Sequence, residues 1–435
     1  MQLAVSELAR MSAPDAQPRQ ESLLRRHLRY CLRASPFYRR KLCGIHPADI
    51  TLNNFHQLPT TTKSEFSQQN SAFRAVPAAR IRDIVLSSGT TGEPTRVVYT
   101  ERDLERLACN EAWSFAACGV QPGDIALLTC TLDRCFIAGY AYYSGLRRMG
   151  AACIRHGIGS LESHSDVIRR LRPTVVVGVP SFLRRLGQHL AECPGDARGR
   201  SVRRLVCIGE PLRNAQLAPL VVTRELEALW HAPAFSTYAS SECVSTFCEC
   251  EFRQGGHLHR ELAVLEIVDE RGHPTPPGVP GEVVLTPLGV EGMPVVRFRT
   301  GDISFRVDKP CACGRLSPRL GPIIGRTAQM IKCRGTTLYP QAIYTALDEC
   351  PTVGHYYVTV TSHTDLSDLV TVTVSRRGAS LSAARLQSYL GDRLRVRPEV
   401  RIHSEERVKR VVFNPASRKP VRFVDLRPTA GKMES

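Results

Sequence analysis

Residues 101–220 constrain the fold most, because strand-like and helical segments alternate along them. Short apolar runs in this region predict buried strands, and residues 138–149 predict one of the helices between them. The predicted strands are residues 125–130, 151–154, 174–179 and 205–208. Such alternation favours a mostly parallel sheet that helices cover on both faces. Because open sheets of this kind bind ligands at the carboxyl ends of their strands, we expect a site at that edge.

Other segments predict elements outside this region. Apolar residues at helical spacing predict a helix from residue 21, which the dipeptide Ser35-Pro36 ends, whereas residues 1–20 show little periodicity and predict an irregular start. Residues 264–268 and 282–285 predict two paired strands. Alternating valines between residues 358 and 374 predict an antiparallel pair in a small α+β domain.

Length and composition limit the class of protein. The chain has 435 residues, which is too long for one compact core and predicts two or three domains. It contains no apolar run near the ~20 residues that a membrane span needs, and its first ten residues lack the order of a signal peptide. Sixteen cysteines without a secretory signal predict reduced thiols. We therefore predict a soluble protein of the cytoplasm.

The charge of the chain predicts anionic partners. Its formal net charge is +17, which favours ligands such as ATP, coenzyme A or an acidic carrier protein. Nucleic acid would also be attracted, but the sequence contains no recognisable nucleic-acid-binding module. Nucleic acid is therefore not the expected partner.

Residues 85–100 read V-L-S-S-G-T-T-G-E-P-T-R-V-V-Y-T, in which two strand-like ends flank a polar loop. Hydroxyl groups and unhindered backbone N–H groups are the donors that wrap an anionic phosphate, and Gly89 and Gly92 let the backbone approach closely. The loop lacks the Gly-Lys-Ser/Thr ending of a Walker motif, and a strand follows it. Taken alone, it could equally be an ordinary hairpin.

The loop resembles the phosphate-binding loop of the adenylate-forming superfamily, and most of all the S-S-G-T-T-G-x-P-T loop of the phenylacetate–CoA ligase family. The resemblance implies that the loop binds the phosphates of ATP. The implied residues are Ser87, Ser88, Gly89, Thr90, Thr91 and Gly92. Glu93 stands where the family usually has Lys, and a carboxylate beside triphosphate is unfavourable unless it faces away or meets a metal ion.

Two later segments resemble parts of the same family's site. Gly209-Glu210-Pro211, after a predicted strand, resembles a segment that lies beside the adenine. Residues 238–242, Y-A-S-S-E, resemble the motif Y-G-x-S/T-E. This implies that Tyr238 stacks on adenine, Ser241 contacts the α-phosphate and Glu242 holds Mg²⁺. A carboxylate suits a hard cation that bridges phosphates. Without the resemblance, this would be a polar loop after a strand.

Three residues nearer the C-terminus complete the implied site. Asp302 ends R-F-R-T-G-D, which matches the family's R-x-R-T-x-D motif, whose Asp grips both ribose hydroxyls. Arg326 corresponds to the arginine that closes over ribose and phosphate. Lys419, in R-K-P-V-R-F, falls on the catalytic lysine, which neutralises charge that develops between carboxylate and α-phosphate. The residues alone would indicate only a basic tail.

The resemblance covers about residues 21–428 and implies an α/β fold, with a large N-terminal adenylate-forming domain of mixed sheets flanked by helices and a small mobile C-terminal α+β domain. We predict a helical lead-in at residues 1–80, an ATP- and acid-binding core at residues 81–326 and a lid domain with the catalytic lysine at residues 327–435. The implied reaction converts a carboxylic acid and ATP into acyl-AMP and pyrophosphate. A thiol, coenzyme A by default, then displaces AMP.

Alternatives stay open at this point. The acyl group could pass to the phosphopantetheine of a carrier protein or to an amine. The protein could also be an inactive nucleotide-binding relative, because Glu93, Ala239 and Ala328 replace the family's usual Lys, Gly and hinge Asp. Phe136, Tyr140, Tyr142, Tyr143 and Tyr238 are candidate pocket residues for an aryl acid, although aromatic residues in a helix more often belong to a core. A homodimer is also left open.

Cysteine and histidine residues predict a second site. Residues 311–314 form a C-A-C-G turn, and Cys250 lies seven residues before His257. Two pairs of ligands, Cys250 with His257 and Cys311 with Cys313, predict a closed tetrahedral Zn²⁺ site with a structural role. Some relatives in the resembling family carry such a cluster at matching places. Free thiols are the alternative to a metal. The alternative ligands are Cys243, Cys248 and His259.

Overall fold

The structure, a computed structural model, describes residues 7–87, 95–192, 201–333, 336–364, 367–378, 381–413 and 420–427. The chain divides into two compact units, Met1–Ile323 and Ile324–Ser435. The larger first unit contains mixed sheets and helices, and the smaller second unit is α+β, which confirms the predicted fold class. Among the described residues, no helix combines the length and the apolar character that crossing a membrane requires.

Several helices of the first unit begin at side-chain caps. The helices are α1 (Ala13–Ala34), α2 (Pro36–Lys41), α3 (Lys63–Gln68), α4 (Asn70–Phe73), α5 (Glu101–Ala117), α6 (Ile137–Met149), α7 (Leu161–Leu171), α8 (Pro180–Glu192) and α9 (Val221–Trp230). Thr62 and Thr100 form capping boxes before α3 and α5. Ser35 separates α1 from α2, as predicted. The expected irregular start through residue 20 is wrong, because Ser12 caps α1 by accepting a hydrogen bond from the Asp15 N–H.

The central sheet of the first unit confirms the predicted strand–helix alternation. The strands are β1 (Ile81–Ser87), β2 (Thr95–Thr100), β3 (Ile125–Leu128), β4 (Ala152–Arg155), β5 (Val175–Gly178), β6 (Arg204–Ile208), β7 (Ala234–Ser240), β8 (Ser245–Cys248), β9 (Gly256–His257), β10 (Ala263–Val268), β11 (Gly281–Pro287), β12 (Phe298–Ser304), β13 (Arg306–Val307) and β14 (Arg319–Leu320). The central order is β4-β3-β5-β6-β7-β8. Its neighbours pair in parallel except β8, which is antiparallel to β7.

Strand β5 shows why this sheet is covered on both faces. Val175 and Val177 point into one apolar cluster with Phe115 and Leu146. Val176, between them, points into the opposite cluster, which contains Trp230. Fully burying side chains of this size stabilises the fold by about 1.5–3 kcal/mol each, so the alternation fixes the strand between two helical layers.

Smaller sheets in the first unit carry other motifs. Strands β1 and β2 form an antiparallel pair, and β10, β11 and β12 pair antiparallel in that order, which confirms the predicted pairing of residues 264–268 with residues 282–285.

The helical lead-in is joined to the segment before β12 by Tyr38, which is buried. Its hydroxyl lies 2.9 Å from Thr61 Oγ1 and accepts a hydrogen bond from the Val296 N–H at 2.8 Å.

The second unit is a four-stranded sheet with helices. Its elements are β15 (Gly325–Arg326), β16 (Ile331–Cys333), β17 (Thr336–Leu338), α10 (Pro340–Asp348), β18 (Val353–Thr364), β19 (Ser367–Arg376), α11 (Ala383–Leu394), β20 (Glu399–His403), α12 (Glu405–Val412) and β21 (Phe423–Asp425). The sheet order is β20-β19-β18-β21. Strands β18 and β19 are antiparallel, as their alternating valines predicted, and β20 and β21 are parallel to their neighbours.

Helices α5 and α6 approach closely at Gly145, which generates a stability prediction. A Cβ atom at Gly145 would lie 2.3 Å from Glu111 Cβ and 3.0 Å from the Ala112 backbone nitrogen. Gly145→Ala should therefore destabilise the protein by about 1–3 kcal/mol, although alanine ordinarily favours a helix. Chemical denaturation measures the change. Ser144→Ala, at the half-buried neighbouring position, should change stability by less than about 0.5 kcal/mol. Equal stabilities of both variants would contradict the close packing.

Candidate active site

Two of the segments that resemble family motifs lie side by side at the carboxyl edge of the central sheet. Strands β6 and β7 pair in parallel, with Leu205 opposite Ala234 and Ile208 opposite Thr237. Gly209-Glu210-Pro211 follows β6, and Tyr238 lies near the end of β7. Neighbouring parallel strands end at the same edge, so the two segments come together where open α/β sheets bind ligands.

Glu210 holds the first of these segments in place. Its carboxylate accepts hydrogen bonds from the Ser181 N–H at 3.0 Å and from Ser181 Oγ at 2.7 Å. Ser181 lies in the first turn of α8, where a negative charge is favoured by the helix dipole. Gly209 has φ of +75°, a conformation that glycine adopts without strain. The structure thus uses the Glu210 carboxylate to fix the loop beside the implied adenine position.

A four-residue turn, residues 241–244, joins β7 to β8 and presents Glu242. Ser240 pairs with Ser245 across the hairpin, so the turn is tight. Val244 has φ of +48°, which is strained for a β-branched residue and costs about 1–3 kcal/mol. The half-buried Glu242 carboxylate accepts a hydrogen bond from Ser240 Oγ at 2.9 Å. Strained backbone of this kind persists where the surrounding structure holds it, and it often occurs at functional sites.

Tyr238 and Asp302 bring two sequence motifs into direct contact. The Tyr238 hydroxyl donates a hydrogen bond to Asp302 Oδ2 at 2.9 Å. The Asp302 N–H donates to Thr300 Oγ1 at 3.2 Å, within β12. Burial raises the pKa of Tyr238 well above its usual value, and the neighbouring Asp302 charge raises it further. The tyrosine therefore stays protonated and donates to a carboxylate that can still accept hydrogen bonds from a ligand.

The two arginines of R-F-R-T-G-D make ion pairs inside the first unit. Arg297 is buried and contacts Glu266, with Nη2 at 3.0 Å from Oε1. Arg299 Nε donates to Glu282 Oε2 at 2.8 Å. These pairs fix the strand on which Asp302 lies. The two arginines of this segment therefore have a structural role.

The four predicted metal ligands meet at one place in the first unit. The ligand atoms of Cys250, His257, Cys311 and Cys313 all lie within 4.8 Å of one another. Cys250 Sγ lies 3.5 Å from Cys311 Sγ, and Cys313 Sγ lies 3.4 Å from His257 Nε2. Tetrahedral zinc with Zn–S bonds of ~2.3 Å separates its ligand atoms by ~3.8 Å, so the donor set fits this ion.

Burial and nearby charges tune these groups. Burial, helped by the Arg315 charge, lowers the pKa of His257 to about 3, so its ring is in the neutral form that binds metals. Burial acts to raise the pKa of Cys313, but hydrogen bonds from the Arg315 backbone and side chain bring it below its usual value. Burial raises the pKa of Cys250. Its thiolate is therefore unfavourable unless a bound cation compensates the negative charge.

The three alternative ligands have other surroundings. Cys248 Sγ accepts a hydrogen bond from Thr237 Oγ1 at 3.3 Å, and Cys243 is buried in an apolar cluster. The His259 ring lies against Trp113, with 5.3 Å between ring centroids. Of the residues that the structure describes, the group close enough to share an ion contains the four predicted ligands and none of these three.

Sequence comparisons identify the family. Residues 43–290 match the family described as AMP-binding enzyme, and residues 335–427 match the AMP-binding enzyme C-terminal domain. The chain is 32% identical over 350 residues to a phenylacetate-coenzyme A ligase of Thermus thermophilus, which covers 78% of this chain and 77% of the relative. The chain belongs to the phenylacetate–CoA ligase family of AMP-binding enzymes. This confirms the predicted class of enzyme, an adenylate-forming acid–thiol ligase.

Further relatives agree with this membership. A phenylacetate-coenzyme A ligase of Escherichia coli is 29% identical over 386 residues, with 86% of each chain covered. Among solved structures, a 2-hydroxyisobutyryl-CoA ligase in the postadenylation state superposes with a TM-score of 0.84 at 22% identity, covering 96% of this chain and 91% of that chain. ATP-bound MatB from Rhodopseudomonas palustris has a TM-score of 0.59 at 19% identity, covering 76% and 66%. The structural likenesses support the adenylate-forming fold.

Other predicted site residues of this ligase-family member lie on other strands or outside the described residues. Ser87 ends β1 and is buried. Arg326 forms part of β15 in the second unit and is exposed. Ser88, Gly89, Thr90, Thr91, Gly92 and Lys419 lie outside the described residues, as does Glu93. The roles implied for these residues stay predictions.

The candidate pocket aromatics differ in exposure. Phe136 is the N-cap residue of α6 and is 40% exposed, and Tyr140, one turn later, is 38% exposed. Tyr238 is half-buried, and its ring centroid lies 6.2 Å from that of Phe247. Tyr142, on the same helix as Tyr140, belongs to the core. The helix therefore contains both core and exposed aromatics, and the pocket assignment stays a prediction.

Sequence reasoning missed two buried side chains that contact the 241–244 turn. The Tyr99 hydroxyl donates to the Ser241 carbonyl oxygen at 2.9 Å, and Arg106 Nη1 donates to the Val244 carbonyl oxygen. Tyr99 follows Val97 and Val98 in a strand, a pattern that indicates a core residue. Arg106 lies on a helix with many charged residues, so nothing in the local pattern distinguished it from a solvent-exposed arginine.

The cysteine–histidine group generates a prediction on metal content. We expect purified protein to contain about one zinc per chain, and Cys311→Ser to lose both the metal and thermal stability, because structural zinc is coupled to folding. Elemental analysis and thermal denaturation measure the two effects. Cys43→Ser, at an exposed cysteine, should change neither. Metal-free protein whose melting temperature is insensitive to chelators would contradict the zinc site.

Proposed function

We propose that this ligase-family member activates a carboxylic acid with ATP and then transfers the acyl group to coenzyme A. The observation that carries the proposal is the 2.9 Å hydrogen bond from Tyr238 to Asp302, which joins the implied adenine and ribose motifs at one site. The Thermus thermophilus and Escherichia coli relatives are both phenylacetate-coenzyme A ligases, so an aryl acid is the proposed substrate class.

Adenylation requires that ATP be oriented with its α-phosphorus facing the acid. Asp302 would accept hydrogen bonds from the ribose hydroxyls while Tyr238 stacks on the adenine. Ser241 would contact the α-phosphate from the turn after β7. Glu242 would hold Mg²⁺, which neutralises phosphate charge when it is bound. These four residues would place the nucleotide at the carboxyl edge of the sheet, where the carboxylate of the acid would attack the α-phosphorus and pyrophosphate would leave.

The remaining roles concern residues that lie outside the described part of the chain or in the second unit. The loop at residues 88–92 would hold the β- and γ-phosphates, and Arg326 would contact ribose and phosphate. Lys419 would donate to the oxygens that gain negative charge during adenylation. In the second half-reaction the thiolate of coenzyme A attacks the acyl carbonyl and AMP leaves. Zinc held by Cys250, His257, Cys311 and Cys313 would have a structural role, since four protein ligands leave no open position.

Two other functions compete with this proposal: transfer of the acyl group to a different acceptor, and nucleotide binding by an inactive protein. Transfer to a carrier protein or an amine would share the adenylation step and differ only in the second half-reaction. An inactive relative would bind AMP without forming acyl-AMP, because Glu93, Ala239 and Ala328 depart from the family pattern. The cytoplasmic location and the homodimer stay predictions from the sequence.

Pyrophosphate exchange with a panel of aryl and fatty acids tests the proposed function. We expect label to enter ATP only with the correct acid, with phenylacetate the first compound to try, and coenzyme A to be consumed when it is added. Exchange without consumption of coenzyme A would favour a carrier protein or an amine as acceptor. AMP binding without exchange for any acid would contradict the proposed activity.

Lys419 provides a prediction on the first half-reaction. Lys419→Ala should abolish acyl-AMP formation, because it removes the ammonium group that would donate to the oxygens that gain negative charge, while thioester formation from supplied acyl-AMP should persist. Pyrophosphate release measures the first half-reaction, and thioester formation from supplied acyl-AMP measures the second. Lys409→Ala removes an exposed lysine of the same unit and should leave both unchanged. Normal adenylation in Lys419→Ala would remove this residue from the site.

Asp302 provides a prediction on nucleotide affinity. Charge-assisted hydrogen bonds to the ribose hydroxyls are worth roughly 1.5–3 kcal/mol each, so Asp302→Ala should weaken both ATP and AMP binding by at least about tenfold. Titration calorimetry measures the two affinities. Asp308→Ala removes a carboxylate that pairs with Arg306 at the surface and should not change them. Wild-type AMP affinity in Asp302→Ala would contradict the nucleotide site.

A further inference from the structure

Both ends of the 241–244 turn are held by buried side chains from the segment that follows the phosphate loop. Tyr99, near the end of β2, donates from its hydroxyl to the carbonyl oxygen of Ser241, the first residue of the turn, at 2.9 Å. Arg106, on the second turn of α5, donates through Nη1 to the carbonyl oxygen of Val244, the last residue. The turn is thus clamped at its start and at its end.

Arg106 is committed to backbone acceptors around this turn. Besides Val244, its Nε donates to the Leu288 carbonyl oxygen at 2.8 Å, and Nη2 donates to the Leu262 carbonyl oxygen. Nη2 also lies 3.5 Å from Ser245 Oγ. Burying a guanidinium is unfavourable unless its N–H groups are hydrogen-bonded, so the side chain is fixed in this position. It joins the turn to the chain segments before β10 and after β11.

Helix α5 also fixes the strand that leaves the turn. Asn110 Oδ1 accepts a hydrogen bond from the Thr246 N–H at 3.0 Å, and its Nδ2 donates to the Thr246 carbonyl oxygen at 3.1 Å. Glu111 accepts a hydrogen bond from Thr246 Oγ1. Helix α5 therefore hydrogen-bonds to the backbone of β8, as a neighbouring strand would. These bonds restrict movement of the turn.

We propose that Tyr99 and Arg106 are positioning residues that hold Glu242 for metal binding. The proposal rests on the proposed role of Glu242 as the Mg²⁺ ligand. The strained Val244 backbone and the short hairpin make the direction of the Glu242 carboxylate depend on both ends of the turn. Because Tyr99 lies on the strand directly after the predicted phosphate loop, its hydrogen bond also ties the metal-binding turn to the strand that leaves that loop.

Magnesium-dependent nucleotide binding tests this positioning role without needing the acid. Titration calorimetry gives the affinity for ATP with and without Mg²⁺, and the ratio is the magnesium-dependent gain. Tyr99→Phe keeps the ring and loses one hydrogen bond, so we expect the magnesium-dependent gain to fall about fivefold, in addition to any change in the affinity for ATP without Mg²⁺ that comes from the Ser241 contact to the α-phosphate. Arg106→Lys cannot reach the same three carbonyl groups and should reduce the gain further.

Tyr38→Phe is the matched control, because Tyr38 is an equally buried tyrosine with two hydrogen bonds in the helical lead-in. It should lower the melting temperature without changing the magnesium-dependent gain. If Arg106→Lys fails to fold, the comparison of Tyr99→Phe with Tyr38→Phe decides alone.

Three results would overturn the positioning role. They are an unchanged gain in Tyr99→Phe, an equal loss of gain in both tyrosine variants, and a wild-type protein whose ATP affinity does not respond to Mg²⁺. By contrast, a wild-type protein that binds Mg²⁺ and ATP together but exchanges no pyrophosphate would contradict the proposed reaction, while loss of the gain in Tyr99→Phe would still support the positioning role.

Discussion

Burial of the central sheet on both faces is the constraint on which the rest of the first unit depends. Strand β5 sends Val175 and Val177 to one side and Val176 to the other, and all three are fully buried. Such a strand has no solvent-facing side on which a polar ligand could bind. Polar chemistry is therefore confined to the strand ends, and the segments after β6 and β7 contain the residues that the family resemblance implies in nucleotide binding.

In the first unit, charged side chains are used mainly to hold the polypeptide in place. Half-buried Glu210 binds the start of α8, buried Arg297 binds Glu266, and buried Arg106 binds three carbonyl groups. The two buried guanidinium groups would be unfavourable without these partners. The result is a rigid frame from which Glu242 and Asp302 present their carboxylates. A preorganised frame of this kind reduces the reorganisation that binding of a triphosphate and a cation would otherwise need.

The sequence predicted features that depend on short-range patterns. Apolar periodicity located β3, β5 and β6 to within two residues, because burial of a parallel strand leaves a continuous apolar run in the sequence. The spacing of cysteine and histidine predicted four ligands that the structure brings together, because the two members of each ligand pair lie within seven positions in the sequence. The start of α1 was missed, since it depends on the Ser12 cap and a largely polar first turn.

Features that depend on the folded chain could not be predicted in the same way. Tyr99 and Ser241 are separated by 142 positions, and Arg106 and Val244 by 138, so no window of sequence contains either pair. The positive φ of Val244 was equally hidden, because valine ordinarily avoids that region and a sequence pattern gives no reason to expect it. The motif resemblance named Glu242, but only the structure shows which groups hold it.

Strand β8 connects the turn with the cysteine–histidine group. Within the part of the chain that the structure describes, it is the last strand of the central sheet and pairs there with β7. Asn110 and Arg106 bind the chain at its start, and beyond its end Glu249 is paired with Arg213 at 2.7 Å, next to Cys250. Only four residues, Ser245–Cys248, separate these two anchored ends. The packing around the 241–244 turn and the packing around the proposed zinc ligands therefore act on the same short strand.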